Sequence, residues 1–189
     1  VFINDYKLDT CKIIEKLQKL AESGIENYSD DVDIWLLLDD YKIDCDEKKD
    51  IINSIFSESR VGVIYGSAGV GKSTLINHVS HYLNDADKLY LTQTNPAKEN
   101  LMRKIDADNT TFSTIASFLS QGSNITEYEL LVVDECSTVS NKDMVKVLEK
   151  ANFKMLLLVG DTYQIDAIQF GNWFSVLKLF LPESAVFEL

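Results

Sequence analysis

The chain has 189 residues, a formal net charge of −12 and 46% hydrophobic residues, which suits one folded α/β core with room for a small appendage. It carries no basic-then-apolar leader and no apolar run near the length that spans a bilayer, so we expect no membrane partner. Its three cysteines lack C-x-x-C spacing, which indicates neither a disulfide framework nor a zinc site. Buried or half-buried reduced thiols are expected instead, and they predict a cytoplasmic protein.

The N-terminal part of the chain predicts three short helices. Apolar residues at helical spacing cover residues 8–22, and a polar, acidic linker is expected over residues 27–33. A second helix is predicted to begin at Ile34, and Asp46 is expected to cap a third. We therefore predict a helical accessory segment over residues 1–45, ahead of the main domain over residues 46–189.

From residue 61 onward, apolar strands alternate with helical stretches. Strands are predicted near residues 61–65, 88–92, 110–111, 130–134, 155–160 and 185–188. Helices are predicted near residues 73–84, 97–104, 113–120, 141–150 and 171–180. This alternation indicates an α/β fold in which a parallel sheet carries helices on both faces through right-handed crossovers.

The residues after the first predicted strand match G-x-x-x-x-G-K-[ST], a pattern that chance gives in fewer than about one chain in a hundred of this length. They are Gly66, Ser67, Ala68, Gly69, Val70, Gly71, Lys72, Ser73 and Thr74. Strand, loop and helix in this order predict a phosphate loop, in which backbone N–H groups and the helix dipole hold phosphate oxygens. Lys72 would reach the β- and γ-phosphates, and Ser73 would offer its hydroxyl to Mg²⁺. An ordinary glycine-rich turn with a surface lysine is the alternative.

A second candidate element is the apolar run at residues 130–133, which ends in Asp134 and Glu135. Such a run is typical of a parallel strand covered on both faces, and its carboxyl end is where open α/β sheets bind ligands. Asp134 would hold Mg²⁺, and Glu135 would orient and deprotonate the water that attacks the γ-phosphate. The alternative is a strand followed by an acidic helix start.

A third strand, near residues 155–160, is followed by Gln164. A neutral amide at this place can hydrogen-bond the γ-phosphate or the attacking water without competing for the metal. Gln164 is therefore predicted to sense the γ-phosphate; a plain turn is the alternative. His78 and His81 lie three apart on a predicted helix, but no third ligand is in register, so solvent-facing positions are expected.

With these motifs in order, the chain resembles superfamily 1 helicases, particularly the first RecA-like domain of the RecD-like branch. Five stretches carry the resemblance, namely motif I at 66–74, motif Ia at 90–97, the next motif at 111–119, motif II at 131–135 and motif III at 160–164. The resemblance implies a P-loop NTPase that binds ATP with Mg²⁺. It also implies that Thr94, Asn95 and Thr114 contact the phosphates of single-stranded nucleic acid, with DNA favoured over RNA.

Three departures from the family pattern limit what the resemblance implies. Asp166 and Ala167 stand where many members carry two prolines, and residues 46–50 lack the glutamine that reads adenine. The chain also stops before the family's second RecA-like domain, which supplies a catalytic arginine. Neither Arg60, ahead of the first core strand, nor Arg103, after motif Ia, is placed to replace it. We therefore expect the isolated chain to bind nucleotide but to hydrolyse it weakly and to unwind nothing.

Two functions from different classes remain open. The first is the motor domain of an ATP-dependent helicase or translocase, acting with a second RecA-like domain. The second is an ATP-gated regulatory module that controls assembly without translocation. The acidic charge opposes binding to a polyanion. However, residues 1–60 hold 8 Lys/Arg and 15 Asp/Glu, a net of −7 out of −12, so more than half of the excess lies outside the motifs.

Overall fold

The computed structural model describes residues 2–38, 41–122, 126–161 and 173–189. The α-helices are α1 (Phe2–Leu20), α2 (Tyr28–Leu38), α3 (Asp46–Ser54), α4 (Lys72–Tyr82), α5 (Asn95–Met102), α6 (Ile115–Ser120), α7 (Asn141–Lys150) and α8 (Trp173–Val176). The strands are β1 (Val61–Tyr65), β2 (Lys88–Thr92), β3 (Thr110–Thr114), β4 (Glu127–Val133), β5 (Asn152–Gly160) and β6 (Val186–Glu188). Short 3-10 turns cover Cys136–Thr138, Leu177–Leu179 and Glu183–Ala185.

The six strands form one parallel sheet in the order β3-β2-β4-β5-β1-β6. The predicted α/β fold of the P-loop NTPase class is confirmed. Tyr65 pairs with Gly160, and Leu91 pairs with Val133, so the carboxyl ends of the central strands reach the same edge of the sheet. The first residues after β1, β4 and β5 therefore lie at that edge.

Helices cover both faces of the sheet, which explains the unbroken apolar strands. In β4, Leu131 and Val133 face a layer that contains α1 and α7, whereas Leu130 and Val132 face the layer of α3 and α4. All four side chains are fully buried. A strand that packs on both faces loses the alternation of a half-exposed strand.

The N-terminal helix α1 packs into the main core. Ile13 and Leu17 are fully buried in the cluster that includes Val147 of α7 and the central strands. The carbonyl of Leu20 accepts a hydrogen bond from the Arg60 N–H at 2.9 Å, which ties the end of α1 to the start of β1. The boundary between an accessory segment and a main domain at residue 45 stays a prediction, but α1 contributes to the packing of the sheet.

Three local predictions were wrong. The expected linker at residues 27–33 is mostly helix, because α2 begins at Tyr28 and buries Tyr28 and Val32 one turn apart. Asp46 does not cap α3 but is its first residue, after Cys45 as the N-cap. Cys11 and Cys45 are exposed, and Cys136 alone is buried.

The helix predicted at 171–180 lies partly outside the described residues, and its described part is α8 with a 3-10 turn.

Among the described residues, no helix is both long enough and apolar enough to cross a bilayer.

Candidate nucleotide-binding site

The loop between β1 and α4 has the backbone of a phosphate cradle. Gly69 and Gly71 have φ of +88° and +98°, a region that residues with a side chain rarely adopt. Gly71 is the N-cap of α4, and its carbonyl accepts the Leu75 N–H at 3.0 Å, so the helix begins directly at Lys72. A Cβ built on Gly69 would meet no atom within 4 Å, so this part of the loop borders open space. The loop therefore offers a helix start with room for an anion beside it.

The Lys72 ammonium folds back on this loop. Its Nζ donates to the carbonyl oxygens of Gly66 and Ser67, each at 2.7 Å. The Gly66 N–H in turn donates to the Gly160 carbonyl at 3.2 Å, which fixes the start of the loop to the end of β5. The lysine and the loop are thus held together at the edge where the central strands end.

Asp134 follows β4 at the same edge. Its backbone N–H donates to the Leu91 carbonyl at 3.0 Å, and its Oδ1 accepts the Glu135 N–H at 2.9 Å. Burial raises the pKa of Asp134, although the Glu135 N–H and the ammonium groups of Lys72 and Lys104 oppose the shift. Because burial makes the Asp134 carboxylate costly to ionise, a divalent cation bound beside it would stabilise its charged form.

Glu135 has a left-handed backbone, with φ of +56° and ψ of +40°. The residue is exposed overall, yet desolvation of its carboxyl group, and then the charge of Asp134, raise its pKa. A carboxylate with a raised pKa is the better proton acceptor. The alternative interpretation was an acidic helix start after the strand. A single 3-10 turn, Cys136–Thr138, does begin there, with Glu135 as its N-cap.

These groups surround one cleft of about 220 Å³. Its walls bring together residues of the phosphate loop, of the strand ends and of α5, namely Ala68, Lys72, Ser73, Ala97, Asn100, Leu101, Lys104, Asp134, Glu135, Ser137, Gly160 and Asp161. Lys72, Ser73, Asp134 and Glu135, which were singled out from the sequence, thus line the same cleft. Gln164, the predicted γ-phosphate sensor, lies outside the described residues.

The predicted nucleic-acid residues lie at the ends of β2 and β3. Thr94 is the N-cap of α5 and accepts the Ala97 N–H at 3.3 Å, and Asn95 is the exposed first residue of that helix. Thr114 ends β3 and accepts the Ser117 N–H at 3.2 Å as the N-cap of α6. Asn95 and Thr114 line a second cleft of about 200 Å³, together with Lys98 and several hydroxyl side chains. Thr94 is not among its lining residues.

The sequence did not single out Lys48 or Lys104, which lie beside the phosphate loop. Lys48 is 6% exposed and pairs with Asp44, which lies four residues earlier and just ahead of α3. A Cβ on Gly71 would lie 2.8 Å from the Lys48 Nζ, so this ammonium packs against the loop. The i, i+4 spacing of Asp44 and Lys48 could have predicted their ion pair. The contact of Lys48 with the loop could not be predicted, because it depends on how α3 packs.

The solvent-facing prediction for the two histidines was wrong for His78. That residue is 5% exposed, and its Nε2 lies 2.8 Å from the Asp44 Oδ1 while its Nδ1 lies 3.0 Å from the Tyr41 hydroxyl. His81 pairs with Asp106 at 2.5 Å. Each ring therefore pairs with a carboxylate from a distant part of the chain. Within the described part, no group of three metal-ligating side chains forms.

A family model described as an AAA domain matches residues 46–185, most of the chain. The chain belongs to the AAA domain family. Its AAA domain contains the phosphate loop, Asp134 and Glu135, and both clefts.

Solved structures of low sequence identity share this fold. The UvsW helicase from bacteriophage T4 is 14% identical and superposes with a TM-score of 0.65 over 89% of this chain and 70% of that chain. A second T4 UvsW structure, also 14% identical, gives a TM-score of 0.63 over 88% of this chain and 40% of that chain. At these identities the likeness is one of fold, that of helicase RecA-like domains. No curated protein matches the chain.

Proposed function

We propose that this chain is the nucleotide-binding motor domain of a cytoplasmic, ATP-dependent helicase or translocase of the RecD-like branch of superfamily 1. It hydrolyses ATP with Mg²⁺ to move along single-stranded nucleic acid, with DNA favoured over RNA, when it is joined to a second RecA-like domain. Residues 46–189 form the motor domain in this proposal, and residues 1–45 form a helical accessory segment. The observation that carries the proposal is the cleft shared by Lys72, Ser73, Asp134 and Glu135.

The chemistry of this cleft fits a triphosphate and Mg²⁺. Ser73 supplies a hydroxyl and Asp134 a carboxylate, and Mg²⁺ prefers such hard oxygen ligands while it keeps several waters. When bound, the ion would neutralise charge on the phosphates. Lys72 already sits at the loop and needs only to exchange carbonyl oxygens for phosphate oxygens, which are stronger acceptors. Burial raises the pKa of Asp134, and a cation there would relieve that electrostatic cost.

Glu135 is the best-placed general base. It follows the proposed metal ligand directly, and its raised pKa improves it as a proton acceptor for the attacking water. Gln164 remains the proposed γ-phosphate sensor, on the strength of its position after β5. The described part of the chain offers no arginine to stabilise the transferring phosphoryl group. Arg60 precedes β1, at the end of the strand opposite the loop, and Arg103 is exposed at the C-cap of α5.

The second cleft supports a nucleic-acid partner. It lies along β3 at the edge of the sheet, and β2 separates that strand from β4, which leads into Asp134. Hydroxyls, the Asn95 amide and the Lys98 ammonium can hold backbone phosphates with modest positive charge. Helix α5 connects the two clefts, because Asn100 lines the first and Lys98 lines the second. The regulatory module is the second candidate, and the net charge of −12 is the observation that favours it.

The first experiment titrates a fluorescent, non-hydrolysable ATP analogue with Mg²⁺ against the chain. We expect saturable binding that Lys72→Ala removes and that Lys142→Ala, an exposed position on α7, leaves unchanged. Wild-type protein that binds no nucleotide under these conditions would contradict the proposal.

The second experiment titrates a labelled single strand at low and moderate salt with the analogue present. The motor proposal predicts weak, salt-sensitive binding, whereas a regulatory module predicts none at either salt concentration. A steady-state ATPase assay tests the remaining part. Brisk turnover stimulated by nucleic acid in the isolated chain would show that the expected dependence on a second domain is wrong.

A further inference from the structure

Lys104 follows α5, and its side chain reaches the start of α4 at the phosphate loop. Its Nζ lies 3.3 Å from the Oγ of Ser73. It is the only lysine besides Lys72, among the described residues, that lines both the cleft with Asp134 and the neighbouring groove along Gly69, Gly71 and Asn77. The sequence pattern gives this residue no role, because it lies outside the five motif stretches.

The backbone around Lys104 is fixed, although its side chain is exposed. Leu101 and Ile105 are 2% and 7% exposed and anchor both sides of the turn in the core. The Asp106 N–H donates to the Asn77 Oδ1 at 3.1 Å, which attaches the turn to α4, the helix that begins at the phosphate loop. The Asp106 carboxylate pairs with His81 on the same helix. The backbone of Lys104 is therefore fixed relative to α4 and the loop that precedes it.

The charges around Lys104 leave its ammonium available for an anion. Within the part of the chain that the structure describes, no carboxylate forms an ion pair with Lys104. To the described residues it makes a single hydrogen bond, to Ser73, which is long at 3.3 Å, whereas an ammonium can donate three. Its field nevertheless reaches the site, because it lowers the pKa of Asp134 together with Lys72.

We propose that Lys104 is a second phosphate-binding lysine, which contacts the terminal phosphate of a bound nucleoside triphosphate across the cleft from Lys72. This inference rests on the proposed function. Ser73, Asp134 and Glu135 mark the part of the cleft where the terminal phosphate would lie, and Lys104 reaches that part. Lys104 therefore favours a triphosphate over a diphosphate, since the diphosphate lacks the group that the ammonium contacts.

The test measures the Kd of the chain for a non-hydrolysable ATP analogue and for ADP, each with Mg²⁺ and without nucleic acid. Lys104→Ala is expected to weaken the triphosphate at least about tenfold and the diphosphate by less than about threefold, because a charge-assisted hydrogen bond is lost in one case only. Lys104→Arg is expected to retain most of the preference. Arg103→Ala is the matched control, because it removes one positive charge from the adjacent exposed position. Arg103 lines neither the cleft with Asp134 nor the groove along Gly69 and Gly71.

The outcomes separate this inference from the proposed function. Wild-type protein that binds neither nucleotide overturns both. Wild-type protein that binds, with a Lys104→Ala variant that binds the triphosphate equally well, overturns the role of Lys104 alone. Equal weakening of both nucleotides, or the same loss in Arg103→Ala, also overturns it, because general electrostatic attraction then explains the effect. Selective loss of triphosphate affinity with rescue by arginine supports it.

Discussion

Replacing Gly71 with alanine tests how the phosphate loop is held. Two effects add at this position. The backbone φ of +98° costs an L-residue about 1–2 kcal/mol. The new Cβ would also lie 2.8 Å from the Lys48 Nζ and 3.0 Å from its Cε, so the ammonium must shift and its ion pair with Asp44 is disturbed. That pair is only part-buried, because the Asp44 side chain is 49% exposed, so disturbing it costs about 0.5–1.5 kcal/mol. We therefore expect Gly71→Ala to lower the free energy of unfolding by about 1.5–3.5 kcal/mol.

Gly69→Ala is the matched control. Its φ of +88° carries a similar conformational cost, but its Cβ would meet nothing within 4 Å. The expected loss is therefore only about 1–2 kcal/mol. Urea unfolding of the nucleotide-free variants, followed by tryptophan fluorescence, measures the difference. Combining Gly71→Ala with Lys48→Ala removes the steric contact, so the double variant should be more stable than the sum of the two single losses predicts.

Equal losses for Gly69→Ala and Gly71→Ala, with additive behaviour of the Lys48 substitution, would refute this reasoning. The result would mean that Lys48 does not support the loop. Because each kcal/mol corresponds to about 2–4 °C in Tm for a chain of this size, a thermal melt can resolve the difference as well.

Three further substitutions test the electrostatics. Burial raises the pKa of Asp134, so its charge destabilises the fold increasingly as pH rises through that raised pKa. Asp134→Asn should therefore raise Tm at neutral pH, lose this advantage in acid, and abolish Mg²⁺-dependent nucleotide binding. Lys48 and then His78 lower the pKa of Asp44, so Asp44→Asn should lower stability at neutral pH, and the loss should fade as pH falls below the usual range of an aspartate; a loss independent of pH would contradict the ion pairs. The buried Lys88 donates to three carbonyls after α4, so Lys88→Met should cost about 1–3 kcal/mol in urea unfolding, and an unchanged midpoint would show that water replaces it.

The sequence was sufficient for the order of the elements because each central strand is buried on both faces and each crossover is local. The bounds of β1 and β2 agree with the prediction. The amino ends of β4 and β5 were missed because they are polar. Glu127 pairs with Asn152 there, and Lys154 forms an ion pair with Glu129 at 2.8 Å across the two strands. Cross-strand pairing therefore extends these strands beyond their apolar runs.

The start of α2 was missed for a related reason. Asp30 and Asp31 made the segment look like a linker, but acidic residues in the first turn favour a helix through its dipole. Tertiary contacts settle the matter, because Tyr28 packs edge-on against Phe56 at 5.7 Å between ring centroids. Such a contact joins residues that are distant in the chain, and a local pattern does not contain it.

The same distinction between local pattern and tertiary packing applies to the candidate site. The phosphate loop and Asp134 were identifiable because a local pattern fixes their backbone and their place at a strand end. Lys48 and Lys104 were not, because α3 and the turn after α5 bring them to the loop only through packing. Their charges matter in different ways: Lys48 packs against Gly71 of the loop and is neutralised by Asp44, whereas Lys104 has no described carboxylate partner.

Glu135 shows how the fold stores strain at the proposed catalytic position. A non-glycine residue with φ of +56° persists only when its surroundings fix it, at a cost of about 1–3 kcal/mol. Three hydrogen bonds do so here: its N–H donates to Asp134 at 2.9 Å, and its carbonyl accepts the Thr138 N–H at 2.9 Å and the Thr138 hydroxyl at 2.8 Å. The first bond occupies one oxygen of the proposed metal ligand. Cation binding at Asp134 would therefore act on the backbone of Glu135 directly, which couples the position of the general base to the charge in the cleft.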